Sequence, residues 1–131
     1  MPVRSIWRMA SAVALIVVSL LEGCGRDASD LAITPKMTNA DSDRGAKLIR
    51  SYGCGGCHEV PGVDGAEGVV GPSLQEFSRR VYVAGMVRNT PDNLMDWLKN
   101  PQAIVPGNAM PNLDVSERDA RDMAAYLYTL Q

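Results

Sequence analysis

Residues 51–60 read SYGCGGCHEV. The stretch holds two of the chain's three cysteines and its only histidine. Cys54 and Cys57 stand at i and i+3, about one helical turn apart, so their sulfurs face the same way. His58 follows at once. Three chemistries use such a cluster: a redox disulfide, part of a zinc site, or a covalent haem.

The rest of the chain weighs the three. A structural zinc site needs four Cys or His ligands, and the chain reaches that count only by including Cys24, far away in the N-terminal region. A thioredoxin-like site expects a βαβ setting, and no alternating strand pattern is evident. A haem needs less: two sulfurs on one side for its two vinyl groups, and an imidazole that can turn under the iron. Gly55 and Gly56 leave that approach clear. Aromatic residues are scarce among the 131 residues, with one Phe, two Trp and four Tyr. A large apolar cofactor would supply the core volume they do not. A net charge of −2 gives no electrostatic reason to expect nucleic acid.

A haem iron has a second face. With one histidine, bis-histidine ligation within the chain is excluded, and methionine is the soft alternative. Met123 belongs to the apolar stripe of a helix and reads as core. Met95 lies off the Leu94/Trp97/Leu98 face of another. Met86 sits in VYVAGMVRN, a loop. Met110 sits in PGNAMPNL, where Pro111 forces an extended backbone and Pro106-Gly107 makes a turn. Such a braced loop can hold a thioether against iron, so Met110 is the expected ligand. Pro72, in GPSL, has no N–H but a free carbonyl that could orient His58; a plain turn is the competing reading.

Three helices are legible. One spans about Asp43 to Gly53, with Gly45, Leu48, Ile49 and Tyr52 on one face. A second starts at Thr90 with Pro91 in its first turn and stops at Pro101. A third starts at Ser116 and carries Ala120, Met123, Ala124, Leu127 and Leu130 as its stripe. The predicted class is all-α, small, with long loops.

These residues resemble class I cytochromes c over about 41–131. The likeness rests on the Gly45/Tyr52 helix, CGGCH, GPSL, the Met110-Pro111 loop and the closing DARDMAAYLYTL. It implies one haem c bound through Cys54 and Cys57, His58 and Met110 as axial ligands, and support of His58 by Pro72. It also implies close crossing of the first and last helices, with Gly45 and Tyr52 meeting Tyr126 and Leu127. The stretch from Arg79 to Leu130 is similar to cytochrome c domains found with haem–copper terminal oxidases. By that likeness Arg79, Arg80 and Trp97 could reach the haem propionates. A solvated arginine pair and a core tryptophan are the plainer readings.

The N-terminus reads MPVRSIWRMASAVALIVVSLLEGCG. Arg4 and Arg8 precede an apolar run, Met9 to Leu21, that is short of the roughly 20 residues a membrane span needs. This is an export-signal pattern, expected over residues 1–23. Leu21-Glu22-Gly23-Cys24 resembles a bacterial lipobox, with Glu22 where a small or apolar residue is usual. Cys24 would then carry lipid and 24–40 would be a flexible linker to a domain at 41–131. A retained anchor, or ordinary cleavage leaving a spare thiol, are the other options. All place the domain outside the cytoplasm, on the periplasmic side of a bacterial inner membrane. The function expected is single-electron transfer to or within a membrane respiratory complex, and not catalysis by the chain itself. A five-coordinate haem that binds gas or peroxide, and a thiol-redox or metallochaperone role for Cys54 and Cys57, are the alternatives.

Overall fold

Asp41 caps the first helix by accepting a hydrogen bond from the Arg44 N–H at 2.9 Å. That cap satisfies a donor the first turn would otherwise leave bare. In the computed structural model of the chain, residues 37–131 are described; the signal, lipobox and most of the linker expected above fall outside them. Helix α1 spans Ser42–Ser51. It ends because Gly53 takes a left-handed φ of 74°, which glycine adopts without steric cost. A single 3-10 turn at Cys54–Gly56 follows. Helix α2 spans Pro91–Lys99, capped by the Thr90 side chain, with proline in its first turn. Helix α3 is one short turn, Pro101–Ile104. Helix α4 spans Glu117–Leu127 and is capped by Ser116.

The last helix is the organising element, packing against both α1 and α2. Gly45 lies where α1 meets α4; a Cβ there would overlap the Asp122 carbonyl and crowd Tyr126. The core comprises Ile49, Leu94, Met95, Leu98, Ala120, Met123, Ala124 and Leu127 with Val60, Phe77, Val83 and Val115. No helix among the described residues is long and apolar enough to cross a membrane.

Four details differ from the sequence expectation. The domain is mostly helical but contains a minimal hairpin, β1 (Tyr82–Val83) antiparallel to β2 (Val87–Arg88). Two-residue strands are too short to show alternation. The turn between them is Ala84-Gly85-Met86, with Ala84 and Gly85 at positive φ. Met95 is buried at 1% exposure, because α2 meets α3 and β1 as well as α4 and so buries a wider face than one stripe. Pro101 ends α2 but also opens α3. Leu130 lies beyond the end of α4, where its carbonyl accepts from the Ser78 N–H and hydroxyl at 3.0 and 2.8 Å.

A polar clamp bolts α1 to α4. Buried Asp122 accepts from the Asp41 N–H at 2.9 Å and from Arg44. Arg44 also pairs with Asp119, whose other oxygen accepts from the Tyr52 hydroxyl at 2.9 Å. Tyr52 therefore anchors on Asp119. Burial acts to raise the Asp119 carboxyl, but bonds from Tyr52, Ser116 and Arg44 prevail and hold it below its ordinary 3.8. A depressed folded-state value means that this contribution is present above about pH 4 and is lost as pH falls through the folded value. Asp119→Asn should therefore lower stability at neutral pH and flatten the acid limb in urea unfolding of the haem-loaded protein. Identical acid limbs in the two proteins would contradict this.

Candidate functional site

The turn that ends α1 sets the site. Gly53 redirects the chain into Cys54–Gly56, and the His58 N–H bonds the Cys54 carbonyl at 2.9 Å. Both cysteines and His58 thereby sit on the wall of one cavity. The loop from 59 to 68 folds back beneath them. Val60 N–H bonds the Ala66 carbonyl at 2.9 Å, and Gly68 N–H bonds Gly55 at 3.0 Å. Tyr126 on α4 donates to the Pro61 carbonyl at 2.5 Å and so fastens this loop to the last helix.

His58 is held from two sides. Its Nδ1 lies 2.7 Å from the Pro72 carbonyl. A carbonyl only accepts, so Nδ1 carries the proton and Nε2 keeps its lone pair. The ring lies flat against Gly71, where a Cβ would overlap its Cε1 and Nδ1. Gly71 is absent from the positive-φ glycines, so its role is space and not backbone freedom. Gly68 is similar: a Cβ there would overlap the backbone of Cys57. The sequence offered a turn at Gly71-Pro72; only the fold reveals what the missing side chain makes room for.

The cavity has a volume of about 480 Å³, within the range of cofactor and ligand pockets. Ile49 and Tyr52 line it from α1, Leu94, Trp97 and Leu98 from α2, and Met123 and Leu127 from α4. Leu74, Phe77, Val83 and Leu113 add loop and hairpin contacts. Met110 lines it too, with Asn108, Ala109 and Pro111.

The other sequence candidates separate. Met86, in the hairpin turn, is 63% exposed and is not on the wall. Met95 is core and also off the wall. Met123 reaches the wall but is packed to 1% exposure among core residues. Trp97 and Arg80 line the cavity. The Arg80 guanidinium bonds the Ser73 carbonyl and stands 5.4 Å over the Phe77 ring. Arg79 is not on the wall and pairs with Glu76 at 3.3 Å on the surface. Cys24 lies outside the described residues.

As a free thiol Cys54 is poorly placed to act as a nucleophile. Burial pushes the Cys54 thiol up, and the neighbouring Cys57 adds to this, whereas a nucleophilic thiol needs a lowered value. Among the described residues no cluster of three or more His, Cys, Asp or Glu could hold a metal ion. A flat apolar group carrying its own metal fits the cavity: the walls are largely hydrocarbon, paired sulfurs stand at one edge, and an imidazole nitrogen and a thioether stand on the wall.

That donor set and shape define a haem-binding domain. The cytochrome c family model matches residues 42–131; the chain belongs to the cytochrome c family, and its cofactor is covalently bound haem c serving electron transfer. The chain is 35% identical over 95 residues to cytochrome c oxidase subunit 2 of Alkalihalophilus pseudofirmus, covering 72% of this chain and 27% of the relative. It is 34% identical over 96 residues to the protein of the same name in Bacillus subtilis, covering 70% and 27%. A Bacillus sp. subunit 2 is 30% identical over 101 residues, covering 74% and 28%. The chain thus spans little more than a quarter of the length of the curated relatives it matches.

The packing at Gly71 is directly testable. Gly71→Ala should displace the imidazole and destabilise the haem-loaded protein by about 1–3 kcal/mol, as overpacking does. The ferric absorption spectrum should change with it. Denaturant unfolding and a spectrum both matching the unsubstituted protein would contradict the contact.

Proposed function

We propose that this chain is a single-electron carrier in which Cys54 and Cys57 hold the porphyrin by thioether bonds and His58 and Met110 ligate its iron. The observation that carries this reading is the His58 imidazole at the cavity wall, with Nδ1 2.7 Å from the Pro72 carbonyl. That bond commits the proton to Nδ1, leaves Nε2 for a metal, and fixes the plane of the ring. Met110 offers a soft thioether that favours the ferrous state. Haem c supplies a reversible one-electron couple. His58 and Met110 would hold the iron and the apolar wall would keep water from it, so that little would have to move when the haem takes up an electron. Arg80 and Trp97, on the wall, are the groups we assign to the propionates; Arg79 contributes surface charge.

The relatives bear the name cytochrome c oxidase subunit 2, which supports a place beside a terminal oxidase. In this reading the chain passes electrons to or within such a membrane complex. Lipidated Cys24 tethers it on the periplasmic side of a bacterial inner membrane. Mass spectrometry of the mature N-terminus checks the tether; an unmodified Cys24 or an uncleaved leader would remove it. Failure of the reduced protein to be oxidised by any haem–copper oxidase would remove the partner.

Met110→Ala separates the carrier from a gas- or peroxide-binding haem. The unsubstituted protein should show a methionine-to-iron charge-transfer band when ferric and resist carbon monoxide when ferrous. The variant should lose the band and bind carbon monoxide readily. Its potential should fall on the order of 0.1–0.3 V, a fraction of the roughly 0.8 V that axial ligation spans. Ready carbon monoxide binding by the unsubstituted protein would overturn the carrier reading.

A further inference from the structure

We infer that Gln102 and Asn108 are positioning residues that set the backbone of Met110 and thereby hold its thioether at the cavity; the inference rests on Met110 being an iron ligand.

The loop from 105 to 111 has little means of holding itself. Among the described residues its backbone makes one hydrogen bond within the loop, Asn108 N–H to the Val105 carbonyl at 3.2 Å. Pro106 and Pro111 have no N–H to offer. The remaining polar groups need side-chain partners, and two amides supply them. The Gln102 carboxamide reaches across from α3. Its Nε2 donates to the Asn108 carbonyl at 3.0 Å and to the Met110 carbonyl at 2.8 Å. Its Oε1 accepts from the Gly107 N–H at 2.9 Å. The Asn108 carboxamide works from inside the loop. Its Nδ2 donates to the carbonyls of Pro101 and Val105 at 3.1 and 2.6 Å. Its Oδ1 accepts from the Met110 N–H at 2.7 Å.

Two consequences follow. Both backbone polar groups of Met110 are held by side chains, one from each amide. Each amide also has a single workable orientation, since its NH2 faces two carbonyls and its oxygen faces an N–H. A carboxylate of the same size at either place would turn oxygen toward carbonyl. The clamp ties Met110 to α3, and α3 follows directly on α2, whose Leu94, Trp97 and Leu98 line the same cavity. Wall and ligand loop are thus one mechanical unit.

A merely structural amide would add to overall stability. A positioning amide governs how easily another ligand replaces Met110. Imidazole titration of the ferric haem-loaded protein, followed by loss of the methionine-to-iron band, reads the second quantity directly. Gln102→Leu and Gln102→Glu should each bind imidazole about tenfold more tightly than the unsubstituted protein, the effect of losing one or two net hydrogen bonds. Asn108→Asp should move in the same direction, and serves if the Gln102 variants do not assemble. Ser116→Ala, which removes the α4 cap bond to Asp119 N–H at 3.1 Å, should lower denaturant stability without changing imidazole affinity.

Unchanged imidazole affinity in the Gln102 and Asn108 variants, in a protein whose band is abolished by Met110→Ala, would overturn the positioning role alone. If the unsubstituted ferric protein lacks the band and Met110→Ala matches it, the ligand assignment fails and the inference falls with it. Tighter imidazole binding in Ser116→Ala, to the same degree as in Gln102→Leu, would reduce the amides to general stabilisers.

Discussion

The cavity between the helices is the constraint on which the rest depends. Its walls are drawn from the inward faces of α1, α2 and α4, the surfaces that would otherwise close on one another as a core. Cavities cost roughly 24 cal/mol per Å³ in folded proteins. A sealed, dry space of about 480 Å³ would cost up to about 10 kcal/mol, comparable with the entire net stability of a typical domain. An apolar occupant is therefore part of the fold and not a passenger on it. Haem c, attached by covalent bonds, meets that need and supplies the redox couple with the same atoms.

Around that constraint the chain places rigid parts where precision matters. The crossing of α1 and α4 is set by what Gly45 lacks and by what Arg44, Asp119 and Asp122 supply. This fixes the start of the cysteine turn. Gly71 and Pro72 then hold the imidazole by contact and hydrogen bond. In the ligand set proposed above, the two amides and two prolines around Met110 do the corresponding work on a loop with almost no backbone bonding of its own. Apolar rim residues remain exposed, Val70 at 77% among them, where the walls meet the surface.

Much of this was legible in the sequence, for identifiable reasons. Thr90 and Ser116 cap the helices they were expected to cap, because capping is a local interaction between neighbouring residues. Cys54, Cys57, His58 and Met110, all of which line the cavity, stood out as candidates because rare residue types lay at chemically meaningful spacings or between prolines. What escaped was non-local or too short. The Tyr82–Arg88 hairpin has strands of two residues and an alanine at positive φ in its turn. Met95 is buried on a helix that three other elements pack against. Gln102 is an ordinary polar residue until the fold brings it beneath residues 107–110. The only hint was a nearby loop poor in backbone donors, with amides on either side. Arg79 and Arg80 are adjacent in sequence, yet one lines the cavity and the other pairs with Glu76 on the surface; nothing in the dipeptide distinguishes them.

The claim that the cofactor completes the core is tested most directly by far-ultraviolet circular dichroism of the domain with Cys54 and Cys57 both replaced by alanine and no haem bound. Low helix content and no cooperative thermal transition are the expected result. A helix signal and a sharp transition equal to those of the haem-loaded protein would show that the walls stand without it.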